Sequence, residues 1–454
     1  MKTVDIGAVF DDGHWSRYQK LLVAGTALTI ILDGLDNQLL GAAVPALMKE
    51  WSLPRPAFVP VQTSGMVGMM IGGAIGGYFG DRMGRRVALL GSVIAFGVLT
   101  ILVSFSNSIA MLTALRFFAG LGLGGAMPNA AALSSEYVPR RQRPFAVTLT
   151  IVCIPLGGSL AGFVGGLILP TFGWRALFLV GGIVPLVLAA ILLKILPESP
   201  RYLARLRERW PELRALLDRL GHDVPADATF VDGAERAVAR ASARELLVPE
   251  FRRDTFALCG SFFFCLLSVY VGTNWVPSML SGAGFDVGTA SYGLTAFNLG
   301  GVVGAILGAL LIMRLGSRPT MLTMAAGAIA GAIVLAVMPI GPQAAFSVLA
   351  MLAWTGGLIN AVQTTMYALG AHVYPTSIRA TGVGLAVAFG RIGGVLSPTV
   401  GSWALDSGGA SLYFGLIAGT MTLTFVALAA VRRHIPGASA TIPATRPVAA
   451  SAGH

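Results

Sequence analysis

Charged side chains are scarce in this chain. Asp, Glu, Lys and Arg make up 12% of its residues, about half the share of a soluble domain. Cysteine is scarcer still. Cys153, Cys259 and Cys265 all fall inside apolar runs, which argues against a disulfide framework. No Cys/His cluster has metal-ligand spacing, so no metal is expected. A phosphate-binding loop is missing, and with it any expectation of direct ATP use. No nucleophile–base or metal spacing marks an enzyme. No basic face is interleaved with aromatics, so the net charge of +11 is not a nucleic-acid signal. Residues 1–20 are polar and acidic, and no cleavable signal peptide is read there.

The chain is rich in apolar length instead. Hydrophobic residues reach 55% and mean hydropathy is +0.75, values that define a polytopic, all-α membrane protein. Apolar windows predict twelve transmembrane helices. Six, at roughly 21–45, 57–79, 87–105, 109–133, 145–169 and 175–196, form a first bundle over 21–196. Six more, at roughly 255–280, 289–313, 319–340, 344–371, 380–405 and 411–431, form a second over 255–431. Between them, 197–254 is rich in Arg, Glu and Asp. Its stretch RYLARLRERWPELRALLDRL has apolar residues at helical spacing, which predicts one or two amphipathic surface helices. A flexible Asp/Ala stretch is expected near 222–234. The segment 432–454 reads as a tail, Ala/Pro/Thr-rich from Pro436 and expected to be disordered.

Arginines alternate with the predicted spans. Arg82, Arg85 and Arg86 follow the second helix, and Arg140, Arg141 and Arg143 the fourth. Arg201, Arg205, Arg207 and Arg209 follow the sixth, Arg314 and Arg318 the eighth, Arg379 the tenth, and Arg432 and Arg433 the twelfth. The opposite loops Ser106–Ser108, Ser281–Gly288 and Gly341–Gln343 carry no Lys or Arg. The positive-inside rule therefore places both termini and the central segment in the cytoplasm, with the basic clusters against anionic lipid. A monomer is expected.

The chain also repeats itself. Its second-to-third loop reads GYFGDRMGRRVALL, and the equivalent place in the second half reads LLIMRLGSRPTML. Aligning Gly84 with Gly316 places Arg82 over Arg314 and Arg86 over Arg318, while Asp81 falls over Met313. Parallel six-helix halves of this kind are the arrangement of the major facilitator fold. The element Gly77-Tyr-Phe-Gly-Asp81-Arg82-Met-Gly84-Arg85-Arg86 resembles the G-x-x-x-D-x-x-G-R-R signature of the major facilitator superfamily. Asp33-Gly34-Leu35-Asp36 is similar to the D-G-x-D element of the aromatic acid:proton symporters, and Tyr374 to Gly384 and Gly390-Arg391-Ile-Gly393-Gly394 resemble their tenth-to-eleventh segment. Pro197-Glu198-Ser199-Pro200-Arg201-Tyr202-Leu203 is shared more widely, including with sugar and organic-cation carriers. The resemblance implies a gate role for Asp81, Arg82 and Arg86 and uptake of an aromatic carboxylate with protons. The second gate copy, with Met313 in place of an acid, departs from it.

The costliest residues point the same way. Asp33 and Asp36 stand in the uncharged stretch Leu21–Met48, and a charge at the bilayer centre costs about 2.5–3.5 kcal/mol on insertion scales. They are read as a proton or substrate site, or as a buried pair holding helices together. Depth at about 1.5 Å per residue sets Arg116 level with them, facing the same cavity and paired with one of them, unless it snorkels outward. Arg391 lies near the midplane, where it could grip a substrate carboxylate in a bidentate manner or hold a backbone carbonyl or an aspartate. One of Asp33 and Asp36 would bind the proton and the other orient it. Glu136, beside Arg140, Arg141 and Arg143, reads as a gate or ion-pair residue.

Tyr270, Asn274, Trp275, Asn298, Asn360, Gln363 and Tyr367 are candidates for the substrate cavity, since amides can bond a phenolic hydroxyl and rings can stack. Each is equally a packing or interface residue by type. His372 sits too near the headgroups to be a good proton carrier. The alternatives to an aromatic-acid carrier are a carrier of another organic acid or a sugar, a drug exporter, or a non-transporting sensor.

Overall fold

The computed structural model describes residues 3–11, 15–222, 224–225, 228–232, 243–375 and 377–437. Among these, ten continuous helices are long and apolar enough to cross a membrane. Two of them are too long for one crossing: Arg143–Ile195 has 53 residues and Arg379–Ala430 has 52, or about 80 Å at 1.5 Å per residue, against a hydrocarbon core of about 30 Å. Each is broken where the chain must turn back. Gly173 has φ 73° and ψ −179°, and Gly409 has φ 60° and ψ −150°, backbone conformations that a residue with a Cβ resists. The breaks make twelve spans: α1 Arg17–Trp51, α2 Val59–Met83, α3 Arg85–Val103, α4 Ile109–Tyr137, α5 143–172, α6 174–195, α7 Pro249–Gly282, α8 Val287–Leu315, α9 Ser317–Val337, α10 Ala345–Val373, α11 379–407 and α12 410–430.

Helix α1 starts earlier than hydropathy predicts. Ser16 and Gln19 form a capping box: Ser16 Oγ accepts from Gln19 N, and Gln19 Oε1 accepts from Ser16 N. With these two open amides satisfied, the helix starts at Arg17, four residues before the apolar run begins at Leu21.

The halves repeat one packing plan. In the first, α2 lies along α4, and α1 along α5 and α6; in the second, α8 lies along α10, and α7 along α11 and α12. The α2–α4 contact is made by backbones: a Cβ on Gly72 would overlap the Leu121 carbonyl, and one on Gly124 the Met69 carbonyl. Lipid gives no hydrophobic drive to helix association, so this close approach supplies the packing energy. Across the halves, α5 meets α8, α1 meets α7 and α2 meets α11. Among the described residues, the hydrogen bonds between halves lie at the level of Arg391 or toward the end away from the termini. They join Gln38 to Asn298, Gln62 to the Asn274 carbonyl, Ser159 to Thr295, Arg391 to the Met69 carbonyl and Ser397 to the Met66 sulfur. An ion pair of 2.5 Å joins Arg55 to Asp406.

The central segment is partly ordered on the first half. Helices Pro200–Arg205 and Trp210–Arg219 bury Leu203, Leu213, Leu216 and Leu217 with Phe10, Tyr137 and Phe230. The stretch near 222–234 is not wholly flexible: β2 (Thr229–Val231) pairs in parallel with β1 (Thr3–Asp5), while 223, 226, 227, 233 and 234 lie outside the described residues. In the second half, Ser317 N donates to the Ile435 carbonyl. The tail from 438 onward also lies outside the described residues.

Gly72→Val is expected to lower stability by about 1–3 kcal/mol through overpacking. Gly91→Val, whose added Cβ meets open space, should leave the melting temperature of the detergent-solubilised protein unchanged. Equal melting temperatures for the two variants would refute the backbone contact.

Candidate functional site

Successive residues of a helix are 100° apart, so three positions leave Asp33 and Asp36 about 60° short of a common direction. That angle separates their surroundings. Asp36 points between α3 and α4 and is fully buried. Its Oδ1 accepts from Thr100 Oγ1 at 2.5 Å, its Oδ2 from Arg116 Nη1 at 3.2 Å, and its backbone carbonyl from Arg116 Nη2 at 3.4 Å. Asp33 points to the centre, where it lines a cavity of about 130 Å³ with Asn37, Met66, Met69, Tyr270 and Arg391. Its Oδ1 is buried and accepts no hydrogen bond from any described residue.

Arg391 enters this cavity from α11. Its Nη1 donates to the Met69 carbonyl at 3.4 Å, so the guanidinium keeps one anchor on the opposite half. Gly73 makes room: a Cβ there would stand 2.7 Å from Nη1. Arg116 does not line this cavity. It is turned toward Asp36 and a small void shared with Gln62 and Asn274, because its partner on α1 faces away from the centre.

A second compartment, of about 30 Å³, adjoins the first. Gln38, Thr273, Asn298, Asn360 and Thr364 line it alone, and Asn37, Tyr270, Gln363 and Tyr367 line both. Hydrogen-bond satisfaction sorts the candidates. Trp275 is not a cavity residue: it is completely buried, and its Nε1 donates to the Pro398 carbonyl between α7 and α11. Asn274 donates to Ser397 and is directed away from the central cavity. Asn298 and Gln38 satisfy each other across the halves, with bonds of 2.7 and 3.3 Å. Asn360 donates to its own helix at Gly356, leaving its carbonyl oxygen free of described partners, and Gln363 makes no hydrogen bond with a described residue. His372 is exposed at the end of α10.

At the α2–α3 junction, Asp81 pairs with Arg85 one turn on. The Arg85 guanidinium also reaches Asn129 Oδ1 at 3.4 Å, and that of Arg82 lies 4.5 Å over the Tyr78 ring. Gly77 has no neighbour within 4 Å of an added Cβ. Gly84 holds φ 103° between the helices, against the Glu198 carboxylate. Glu198 in turn accepts from Arg86 N and Ser199 N, each at 2.9 Å, and so caps α3 where its open amides and dipole favour an anion. Arg86 Nη2 donates to the Leu193 carbonyl at 2.5 Å. Glu136 bonds the Ser199 hydroxyl, not the neighbouring basic cluster, whose Arg143 turns to Asp11. In the second copy, Gly316 has φ 86°, Met313 is 63% exposed, and the Ile435 carbonyl stands where Glu198 does in the first.

Sequence reasoning missed Asn37, Thr100 and Glu198 as site residues. Asn37 is one turn from Asp33 and within hydrogen-bonding reach of the Tyr270 hydroxyl. Its spacing in the run Asp33–Gln38 was a readable signal. Among the described residues, no group of three His, Cys, Asp or Glu could hold a metal.

Two six-helix halves around a charged central cavity define a membrane carrier. Residues 26–398 match the profile of the Major Facilitator Superfamily. The gallate transporter of Pseudomonas putida is 32% identical over 415 residues, covering 91% of this chain and 92% of its own. The 4-hydroxybenzoate transporter PcaK of Pseudomonas aeruginosa is 33% identical over 416 residues, covering 90% and 91%. The benzoate transport protein of Acinetobacter baylyi is 30% identical over 413, covering 89% and 87%. The inward-open structure of the xylose transporter XylE from E. coli superposes with a TM-score of 0.69 at 18% identity, over 90% of this chain and 95% of its own. The chain belongs to the Major Facilitator Superfamily, with aromatic-acid transporters among its relatives, and is a transporter and not an enzyme.

The two aspartates should differ in what their loss does to the fold. Arg116→Met strands a buried carboxylate and is expected to cost about 3–5 kcal/mol, with part of the loss restored by adding Asp36→Asn. Asp33→Asn should leave the melting temperature at or above that of the parent. Loss of stability in Asp33→Asn equal to that in Arg116→Met would show that the two carboxylates share one structural role.

Proposed function

We propose that this chain carries an aromatic carboxylate together with a proton into the cell across the cytoplasmic membrane, both termini lying inside. The observation that carries the reading is that Asp33 and Arg391 line one cavity while Asp36 is held by Arg116 and Thr100. An incoming carboxylate is the natural partner of a guanidinium in a low-dielectric site. Once it binds Arg391, Asp33 has lost its nearest counter-charge, and a proton on Asp33 relieves the resulting pair of anions. Anion and proton then travel as one package, which is the coupling. Asp36 stays paired throughout and orients α1.

The direction of access follows from the same frame. The halves touch at the end away from the termini, so with cytoplasmic termini the structure corresponds to a carrier closed outside, its cavity turned to the cytoplasm for release. Rocking the halves must break Arg55–Asp406 and Gln38–Asn298. On the other side, Asp81, Arg82, Arg85, Arg86, Glu136 and Glu198 form the gate that must re-engage the second half. The relatives named for gallate, 4-hydroxybenzoate and benzoate support the substrate class. A sugar needs no fixed cation at mid-depth, and Arg391 therefore argues for an acid.

Cells expressing the chain should accumulate radiolabelled 4-hydroxybenzoate, and a protonophore should collapse the accumulation. In proteoliposomes, Asp33→Asn should lose accumulation against a gradient yet keep substrate exchange, while Arg391→Ala should raise the KM about tenfold or more, the loss of one charge-assisted contact. Proton-driven accumulation by Asp33→Asn at the parent level would refute the assignment.

A further inference from the structure

We infer that Arg55 is the first binding point for the substrate's carboxylate, at the outer mouth of an entry path between α2 and α11. This rests on the reading above that the cargo is a carboxylate and the termini are cytoplasmic. Two seams between the halves, α5–α8 and α2–α11, are built differently. On the α5–α8 seam the backbones touch. A Cβ on Gly162 would stand 2.5 Å from the Thr295 amide nitrogen, and one on Gly166 would overlap the Tyr292 ring. Thr295 Oγ1 donates to the Ser159 carbonyl at 3.1 Å. Small residues that let backbones meet make a close, well-packed contact. On the α2–α11 seam, side chains make the contacts. Ser397 Oγ lies 4.0 Å from the Met66 sulfur, and Arg391 Nη1 reaches the Met69 carbonyl at 3.4 Å. Gln62, Met66, Met69 and Gly73 recur at i, i+4, i+7 and i+11 and share one face of α2. Thioethers re-pack at little cost. When the halves rock, α5–α8 is the pivot and α2–α11 is the seam that parts.

Cations follow the loose seam. Ser159, Gly162, Gly166, Tyr292 and Thr295 carry no charge. The α2–α11 seam has Arg55 at its mouth, in the turn that leads into α2, and Arg391 at its base. Asp406, the partner of Arg55, lies 15 residues beyond Arg391 on α11, a drop of about 22 Å at the helical rise. Arg55 is not saturated by this partner. Asp406 takes Nη1, while Nε is buried and donates to no described residue. Nor is Asp406 stranded without Arg55: its side chain is 40% exposed and accepts from Ser402 Oγ at 3.2 Å. A carboxylate arriving from outside can therefore displace Asp406 and take the guanidinium in a bidentate manner. The exchange replaces an ion pair that ties the halves together with one that does not, and the outer side is released. Arg175, a further cation at this end, is held by Glu50 and lies over the Trp174 ring. Below Arg55 the opened path leads past Met66 and Met69 to Arg391.

The test compares two variants that break the same ion pair, in cells taking up radiolabelled 4-hydroxybenzoate. Arg55→Gln should raise the KM for uptake about tenfold, the worth of one charge-assisted contact. Asp406→Asn leaves the cation in place, and its KM should stay at or below that of the parent. Equal KM shifts in the two variants would overturn the capture role, because a closing contact alone treats them alike. Purified Arg55→Gln should bind 4-hydroxybenzoate in the calorimeter as the parent does, since Arg55 lies outside the cavity, and this also certifies its fold. A tenfold loss there would overturn the assignment to the mouth. The path is read from spin labels at exposed positions of purified full-length protein. On addition of 4-hydroxybenzoate, the distance between labels at Pro60 and Ser407, across α2–α11, should spread more than that between labels at Phe172 and Thr289, across α5–α8. Equal spreads, or none, would overturn the route. Absence of uptake by the parent would overturn the reading of the cargo itself.

Discussion

In the dry centre of twelve apolar helices, a carboxylate and a guanidinium that have left water have only each other, and separating them is far costlier than never having buried them. Asp36 and Arg116 are in that position, with Thr100 taking the remaining carboxylate oxygen. The contact ties α1 to α3 and α4 and fixes the rotation of α1 about its own axis. Rotation is what matters on a helix, because every other side chain turns with it. With Asp36 held outward from the centre, Asp33 and Asn37 are aimed into the cavity, and the glycine-lined contact with α5 falls into place on the neighbouring face. The aim of Asp33 therefore depends on a charge pair that does not itself line the cavity.

The two halves share a packing plan but not a chemistry. The first supplies Asp33 and the methionines of α2 to the cavity, and the second supplies Arg391 and the amides of α10. The junctions after α2 and α8 diverge in the same manner. Both turn on a glycine with positive φ, but a carboxylate caps the first and a backbone carbonyl the second. A carboxylate bonded to amides of a helix end is a contact that charge and movement can break, whereas the carbonyl contact is fixed by the chain that follows α12.

The spans were legible because apolar windows of bilayer length are hard to mistake. Asp33, Asp36 and Arg391 were legible because a charge at that depth has few reasons to exist. Spacing brought the aspartates onto neighbouring directions, yet their division of labour lay in Thr100 and Arg116, 64 and 80 positions from Asp36. Trp275 reads as a cavity aromatic by type and depth, and nothing local reveals that the carbonyl of Pro398, 123 positions away, holds its indole. Glu198 was visible only as part of a shared motif, since its work is done on amides of α3. The early start of α1 was written in Ser16 and Gln19, a local signal that hydropathy ignores.

The central claim is that Asp33 takes the proton while Asp36 stays paired. Purified protein in weakly buffered solution, with an indicator dye, reports proton uptake when 4-hydroxybenzoate is added. Uptake by the parent protein that vanishes in Asp33→Asn, with substrate still bound, is the predicted result. Undiminished uptake in Asp33→Asn would contradict the account.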